Sequence, residues 1–146
     1  MINTRTMEVL LVEDNDNDVE LMRQSFRKCR TLLNLSHAED GVECMAFLRK
    51  QGEHANAPTP NLILLDLNMP RMDGHEVLTQ IVADETLCSI PVVVLTTSAD
   101  EGEILKMYKL RCSSYIVKPI VFDTFNEVVR SLAEYWFALV VLPKTG

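Results

Sequence analysis

The 146-residue sequence predicts a doubly wound α/β protein, five parallel strands in the order 2-1-3-4-5 wrapped by five helices. Three observations predict it. Short apolar runs alternate with segments that are apolar at helical spacing. Two of the runs, Leu62-Ile63-Leu64-Leu65 and Val92-Val93-Val94-Leu95, are apolar throughout, as strands covered on both faces are. Four of the runs also stop at a polar residue, so the fold gathers Glu13, Asp66, Thr96 and Lys118 on one sheet edge.

The first strand is Val9-Leu10-Leu11-Val12, which runs into Glu13-Asp14. Asn15 to Asp18 is turn and cap chemistry, with Asn17 and Glu20 approximating a capping box. Val19, Met22, Phe26 and Cys29 then mark a helix. Leu33 to Ala38 alternates loosely, as an edge strand does, and Glu39-Asp40-Gly41 leads to a helix through Val42, Met45, Ala46 and Leu48. A polar loop from Gln51 to Pro60 precedes the central strand, which ends at Asp66. Burying an unpaired carboxylate inside such a strand is costly, so Asp66 belongs at its C-terminal end, where the chain leaves the sheet.

A turn through Met69-Pro70-Arg71-Met72-Asp73-Gly74 leads to a helix with Val77, Leu78, Ile81 and Val82 on its apolar face. The fourth strand runs into Thr96-Thr97-Ser98, and a weakly apolar helix spans about Asp100 to Leu110. Tyr115-Ile116-Val117 is a short strand that ends in Lys118-Pro119. From about Val121 an extended C-terminal helix carries Phe125, Val128, Leu132, Trp136 and Leu139 on one face. The two most apolar strands belong mid-sheet, which fits the flavodoxin-like order and puts the switch point between the first and third strands.

The length fits a single domain over residues 1–146 with one sizeable core and no output domain. Fourteen Lys and Arg against 21 Asp and Glu give a net charge of −7 with no basic run, which argues against a nucleic-acid partner. Cys29, Cys44, Cys88 and Cys112 form no C-x-x-C pair, and no signal peptide precedes them, so reduced thiols in the cytoplasm are expected. The longest apolar stretch, near Phe137 to Leu142, is too short to span a membrane, which takes ~20 residues.

Three carboxylates at one edge repel one another. At ~4 Å and an effective dielectric near 20, each like-charged pair costs about 4 kcal/mol. A hard divalent cation relieves this, and Mg²⁺ takes one or two carboxylates plus waters and phosphate oxygens. The absence of His and Cys at the edge argues against zinc. Lys118 and Thr96 suit phosphate oxygens, and Asp66 is the natural nucleophile for phosphoryl transfer. Each residue also has a plain reading. Glu13 and Asp14 could favour a helix N-terminus, Asp66 an Asx turn, Thr96 a strand, and Lys118 solvent. The coincidence of matched strand ends is what favours a site. His37, His54 and His75 share no ligand spacing.

Val12-Glu13-Asp14, Leu65-Asp66-Leu67-Asn68-Met69-Pro70, Asp73-Gly74, Pro91 through Thr96 and Val117-Lys118-Pro119 together resemble the motifs of the response-regulator receiver (CheY-like) family over essentially the whole chain. The resemblance implies that Asp66 accepts a phosphoryl group from a phosphohistidine on a sensor histidine kinase, so the chain is a signalling phosphoacceptor rather than an enzyme. It implies Mg²⁺ held by Glu13, Asp14, Asp66 and the Asn68 main-chain carbonyl. Thr96 and Lys118 would bind the phosphoryl oxygens, with the Lys118–Pro119 bond cis. Tyr115 falls at the family's aromatic switch position, coupled to the Thr96 hydroxyl, although a half-buried edge-strand tyrosine fits the spacing equally well. Asn68 and Ser98 would tune the lifetime of the phosphorylated state.

The loop before the central strand, Thr96-Thr97-Ser98 and the ending Tyr135-Trp136-Phe137 resemble the small receivers that serve bacterial and cyanobacterial phytochromes. That resemblance implies a phytochrome-type kinase as partner and signalling by protein contact. A second apolar stripe on the last helix, Val129, Ala133, Phe137 and Val140, predicts a homodimer face; extra core packing is the alternative. Two other classes compete. An aspartate-nucleophile phosphatase needs an acid two residues after the nucleophile, where Asn68 stands. A phosphorylation-independent interaction module would be expected to have lost an acid, the acceptor or the lysine, and all are present.

Overall fold

The computed structural model describes residues 6–28 and 33–143, with backbone only at Phe122 and 137–139. The strands are β1 (Met7–Val12), β2 (Leu33–Ala38), β3 (Leu62–Leu65), β4 (Val92–Thr96) and β5 (Ser114–Val117). The helices are α1 (Asp16–Arg27), α2 (Gly41–Leu48), α3 (Gly74–Ala83), α4 (Glu101–Lys109) and α5 (Phe122–Ala133). All strand pairs are parallel and the order is β2-β1-β3-β4-β5, as expected.

The period-2 geometry of a strand sorts the sheet's side chains onto two faces. Leu10, Val12, Ile63, Leu65, Val92 and Val94 pack under α2, α3 and α4, with Met45, Leu78, Ile81 and Met107. Val9, Leu11, Leu62, Leu64, Val93 and Leu95 pack under α1 and α5, with Met22, Phe26, Phe125 and Leu132. Every residue of β3 and β4 is buried, whereas β5 is half-buried up to an exposed Val117 and β2 is buried only at Ala38. Burying a Leu or Val side chain stabilises by about 1.5–3 kcal/mol, so the two middle strands anchor the fold. Register aligns the strand ends, with Val12 opposite Leu65 and Thr96 opposite Val117. The polar residues that follow therefore emerge at one level.

Four expectations need correction. The N-cap of α1 is Asn15, whose side chain accepts from the Asp18 N–H, rather than Asn17 with Glu20. The helix starts two residues earlier, and Val19, Met22 and Phe26 are buried against the sheet as expected; Cys29 lies outside the described residues. In α2 the buried face is Cys44, Met45, Phe47 and Leu48, while Val42 is 40% exposed. Gly41 fixes that rotation: a Cβ there would collide with the Met72 carbonyl oxygen, so the helix start is pressed against the β3–α3 loop. In α5 the core face is Phe125, Val129, Leu132 and Ala133, and Val128 sits at its margin. Val129 and Ala133 are thus core residues, not a dimer face, because i, i+4, i+7 and i+8 share one side of a helix. Val140 is half-buried, and the Phe137 side chain lies outside the described residues.

The fourth correction concerns Lys118–Pro119, which is trans; the described residues contain no cis peptide. Trans is the resting preference of an X–Pro bond by ~0.5–1 kcal/mol. Beyond Ala133 the helix widens into a π-helical stretch, Glu134–Leu139, closed by the Val140 N–H on the Tyr135 carbonyl at 3.0 Å. No helix among the described residues is long and apolar enough to cross a membrane.

Candidate functional site

Backbone ladders carry three charged residues to the carboxyl edge. The Glu13 N–H donates to the Ala38 carbonyl, the Asp66 N–H to that of Val12, and the Lys118 N–H to that of Thr96. Each residue is thus held at the end of its strand, at 2%, 7% and 7% exposure respectively. Glu13, Asp14 and Asp66 each present a carboxylate oxygen within 4.8 Å of the others, with Asp14 the exposed member. Three oxygen donors with no thiol or imidazole suit a hard divalent cation of the Mg²⁺ kind. The donor set fits, and Glu13, Asp14 and Asp66 are the side chains that would hold it.

Lys118 neutralises part of this charge. Its Nζ donates to Glu13 Oε2, and to Asp18 Oδ2 at 3.0 Å, and lies 4.0 Å from Asp66 Oδ2. The other Asp66 oxygen, Oδ1, accepts the Leu67 N–H at 2.9 Å, which leaves Oδ2 facing the ammonium. Burial works against the lysine's charge, but Glu13, Asp66 and Asp18 outweigh it and hold its pKa above the usual value. Burial pushes the Glu13 carboxyl up to about 7 despite that ammonium, and Asp66 adds to the rise. The two shifts pull opposite ways on whether the pair is charged at neutrality. Direct contact and the raised lysine favour the ion pair, with Glu13 taking a proton as the solution turns acidic.

Thr96 is fully buried, and its Oγ1 makes no hydrogen bond among the described residues. A buried hydroxyl without a partner costs free energy unless a ligand satisfies it. Tyr115 donates its hydroxyl to the Ser98 carbonyl at 2.8 Å, across the gap between β5 and the β4–α4 loop. Burial raises its pKa, and Glu103 and Asp100 add to the rise against that hydrogen bond. Ser98 is half-buried, and Asn68 stands exposed in the β3–α3 loop two residues after Asp66. The expected cluster therefore assembles around Glu13, Asp14, Asp66 and Lys118, with Thr96 ending the neighbouring strand.

Sequence reasoning missed two contributors. Asp18, taken as turn chemistry, reaches Lys118 from the first turn of α1. His37, set aside because the histidines share no ligand spacing, lies on β2 with Nε2 at 2.7 Å from the Glu13 carbonyl oxygen; a carbonyl only accepts, so Nε2 carries the proton. Neither had a usable signal, since an acid in a first helical turn and a polar edge-strand residue are both commonplace. A third feature braces the site from outside. Asp40 caps α2 through the Glu43 N–H and receives the Arg71 guanidinium, tying the β3–α3 loop to α2.

An α/β sheet that devotes its carboxyl edge to three carboxylates and a buried lysine falls in the receiver class of signalling domains. The chain belongs to the response regulator receiver domain family, whose pattern matches residues 9–130. Response regulator Rcp1 of Synechocystis is 41% identical over 135 residues, 92% of each chain. The crystal structure of the phosphorylated cyanobacterial phytochrome response regulator RcpA matches with TM-score 0.93 at 41% identity, covering 96% of this chain and 100% of that one. The Mn²⁺-bound form of Rcp1 matches with TM-score 0.92 at 40% identity, covering 94% and 99%. Members of the family are signalling proteins rather than conventional enzymes.

Proposed function

We propose that this chain is a phosphoryl-accepting response regulator that takes its phosphoryl group on Asp66 from a phytochrome-type sensor histidine kinase in the cytoplasm. The observation that carries this reading is the asymmetry of Asp66: Oδ1 is pinned by the Leu67 N–H while Oδ2 faces Lys118 at 4.0 Å. Oδ2 attacks the phosphorus of a phosphohistidine. The P–N bond breaks, its electron pair stays on the imidazole nitrogen, and an acyl phosphate remains on Asp66. Lys118 Nζ and the Thr96 hydroxyl, which has no partner among the described residues, are the donors for the added oxygens. Mg²⁺ held by Glu13, Asp14, Asp66 and the Asn68 carbonyl would supply positive charge against the incoming phosphoryl oxygens.

Thr96 and Tyr115 form the switch in this reading. Drawing the Thr96 hydroxyl toward the phosphoryl group changes the space beside β5, where the Tyr115 hydroxyl is held by Ser98. Asn68 and Ser98 flank the entry of water and set the lifetime of the acyl phosphate. The kinase class is supported by the likeness to Rcp1 and RcpA. Two copies pair beside β5 and α5, where Ile116, Val128, Tyr135 and Trp136 line an apolar groove of about 460 Å³. The test is transfer from an autophosphorylated phytochrome kinase carrying radiolabelled phosphate. Label should move to the parent and not to Asp66→Asn; label on both, or on neither, refutes the reading.

A further inference from the structure

The first turn of α1 holds a carboxylate whose ordinary task another residue has taken over. An acid at the third helical position normally reaches back to the N-cap N–H, completing a capping box. Here the Asn15 N–H donates instead to Glu13 Oε1 at 3.1 Å, while the Asn15 side chain takes the Asp18 N–H. Asp18 is thereby released from capping, and its Oδ2 lies 3.0 Å from Lys118 Nζ.

We infer that Asp18 is a positioning residue that holds the Lys118 ammonium just short of Asp66, outside the set of groups that would ligate the metal. An ammonium has three N–H donors. Glu13 and Asp18 take two of them, and the remaining approach leaves Nζ 4.0 Å from Asp66 Oδ2, beyond hydrogen-bond reach. Three consequences follow. The Asp66 oxygen is not masked by its own lysine and stays nucleophilic. A phosphoryl group on Asp66 carries oxygens outward from the carboxylate, so Lys118 can meet one without abandoning Asp18. When Glu13 turns to a cation, Asp18 is the partner that remains, because the 4.8 Å cluster of Glu13, Asp14 and Asp66 does not include it. Deleting the Asp18 carboxylate redirects the free donor to Asp66 itself, which ties up the nucleophile.

This inference rests on the phosphoacceptor reading, and two measurements separate their failures. The first is a double-mutant cycle on the metal-free protein in urea, with Asp18→Asn, Lys118→Met and the double variant. Asp18→Asn should raise the unfolding constant about fivefold when Lys118 is present and leave it unchanged in the Lys118→Met background. Asp16→Asn, which removes an exposed acid from the same turn, controls for the helix dipole and should show no coupling. The second is phosphorylation by acetyl phosphate at saturating Mg²⁺. Asp18→Asn should slow the rate about tenfold, ~1.4 kcal/mol in barrier height, with Asp16→Asn within twofold of the parent and Asp18→Glu partly restored. An additive cycle, or equal rates for the two Asn variants, overturns the inference while the parent's phosphorylation stands. A coupled pair in a parent that gains no phosphoryl group overturns the phosphoacceptor reading, and Asp18's role with it.

Discussion

Replacing Lys118 by Met keeps an aliphatic stem of similar length and removes the only cation in contact with Glu13, Asp18 and Asp66 among the described residues. The cost can be worked from the geometry. At the 4.0 Å separation from Asp66 and an effective dielectric near 20, the lost attraction is about 4 kcal/mol. Asp18 adds only about 1 kcal/mol, since its side chain is 25% exposed and water screens it. Glu13 is buried and escapes part of the penalty by protonating, which is easy for a carboxyl already raised to about 7. The net expectation at pH 8 is a loss of about 3–5 kcal/mol, the range for a buried charge stripped of its partner. Metal should offset much of it. With no ammonium competing for Glu13, Mg²⁺ binds the variant more tightly, and a ligand at 100 times its Kd stabilises by ~2.7 kcal/mol. Urea melts in EDTA and in Mg²⁺ read both effects. The variant should be clearly weaker than the parent in EDTA, and the gap should shrink by half or more in Mg²⁺. Equal stability in EDTA, or equal Mg²⁺ shifts in both proteins, would refute the charge balance described here.

Two further outcomes are expected. Burial pushes the Asp40 carboxyl up, but the Glu43 N–H and the Arg71 guanidinium outweigh it and hold its pKa below the usual value. A depressed carboxylate contributes stability above the unfolded pKa of about 4 and loses it as pH falls through the folded value. Asp40→Asn should therefore be less stable than the parent near neutrality, and the difference should close on acidification below about pH 4; parallel acid limbs would contradict this. For the proposed pairing, sedimentation equilibrium should find the parent dimeric and Tyr135→Asp monomeric, Tyr135 being 54% exposed beside the apolar groove. A monomeric parent, or an equally dimeric variant, removes the pairing.

Much of this was legible because strands and helices impose different periods. β3 and β4 are apolar without a break, so their central position and the acid or threonine that ends them could be read directly. The strand order followed from the weaker patterning of β2 and β5. The last helix was misread for the same reason that makes it stable: apolar residues crowd it, and Val128 and Val129 are neighbours of equal hydrophobicity. Only the packing of Phe125 and Leu132 against β1, β3 and β4 decides which one turns inward. Asn15 and Asn17 can both cap a helix, and the choice depends on where the chain leaves β1. Asp18 was invisible because its partner lies 100 residues away, a contact that no local pattern encodes.

The central claim is that Asp66 is a phosphoryl acceptor served by a cation. Intact mass after incubation with acetyl phosphate tests it most directly, on the parent with Mg²⁺, the parent with EDTA, and Asp66→Asn with Mg²⁺. The account predicts the mass of one phosphoryl group on the parent with Mg²⁺ and on neither of the others. A gain on Asp66→Asn, or no gain on the parent, would contradict it.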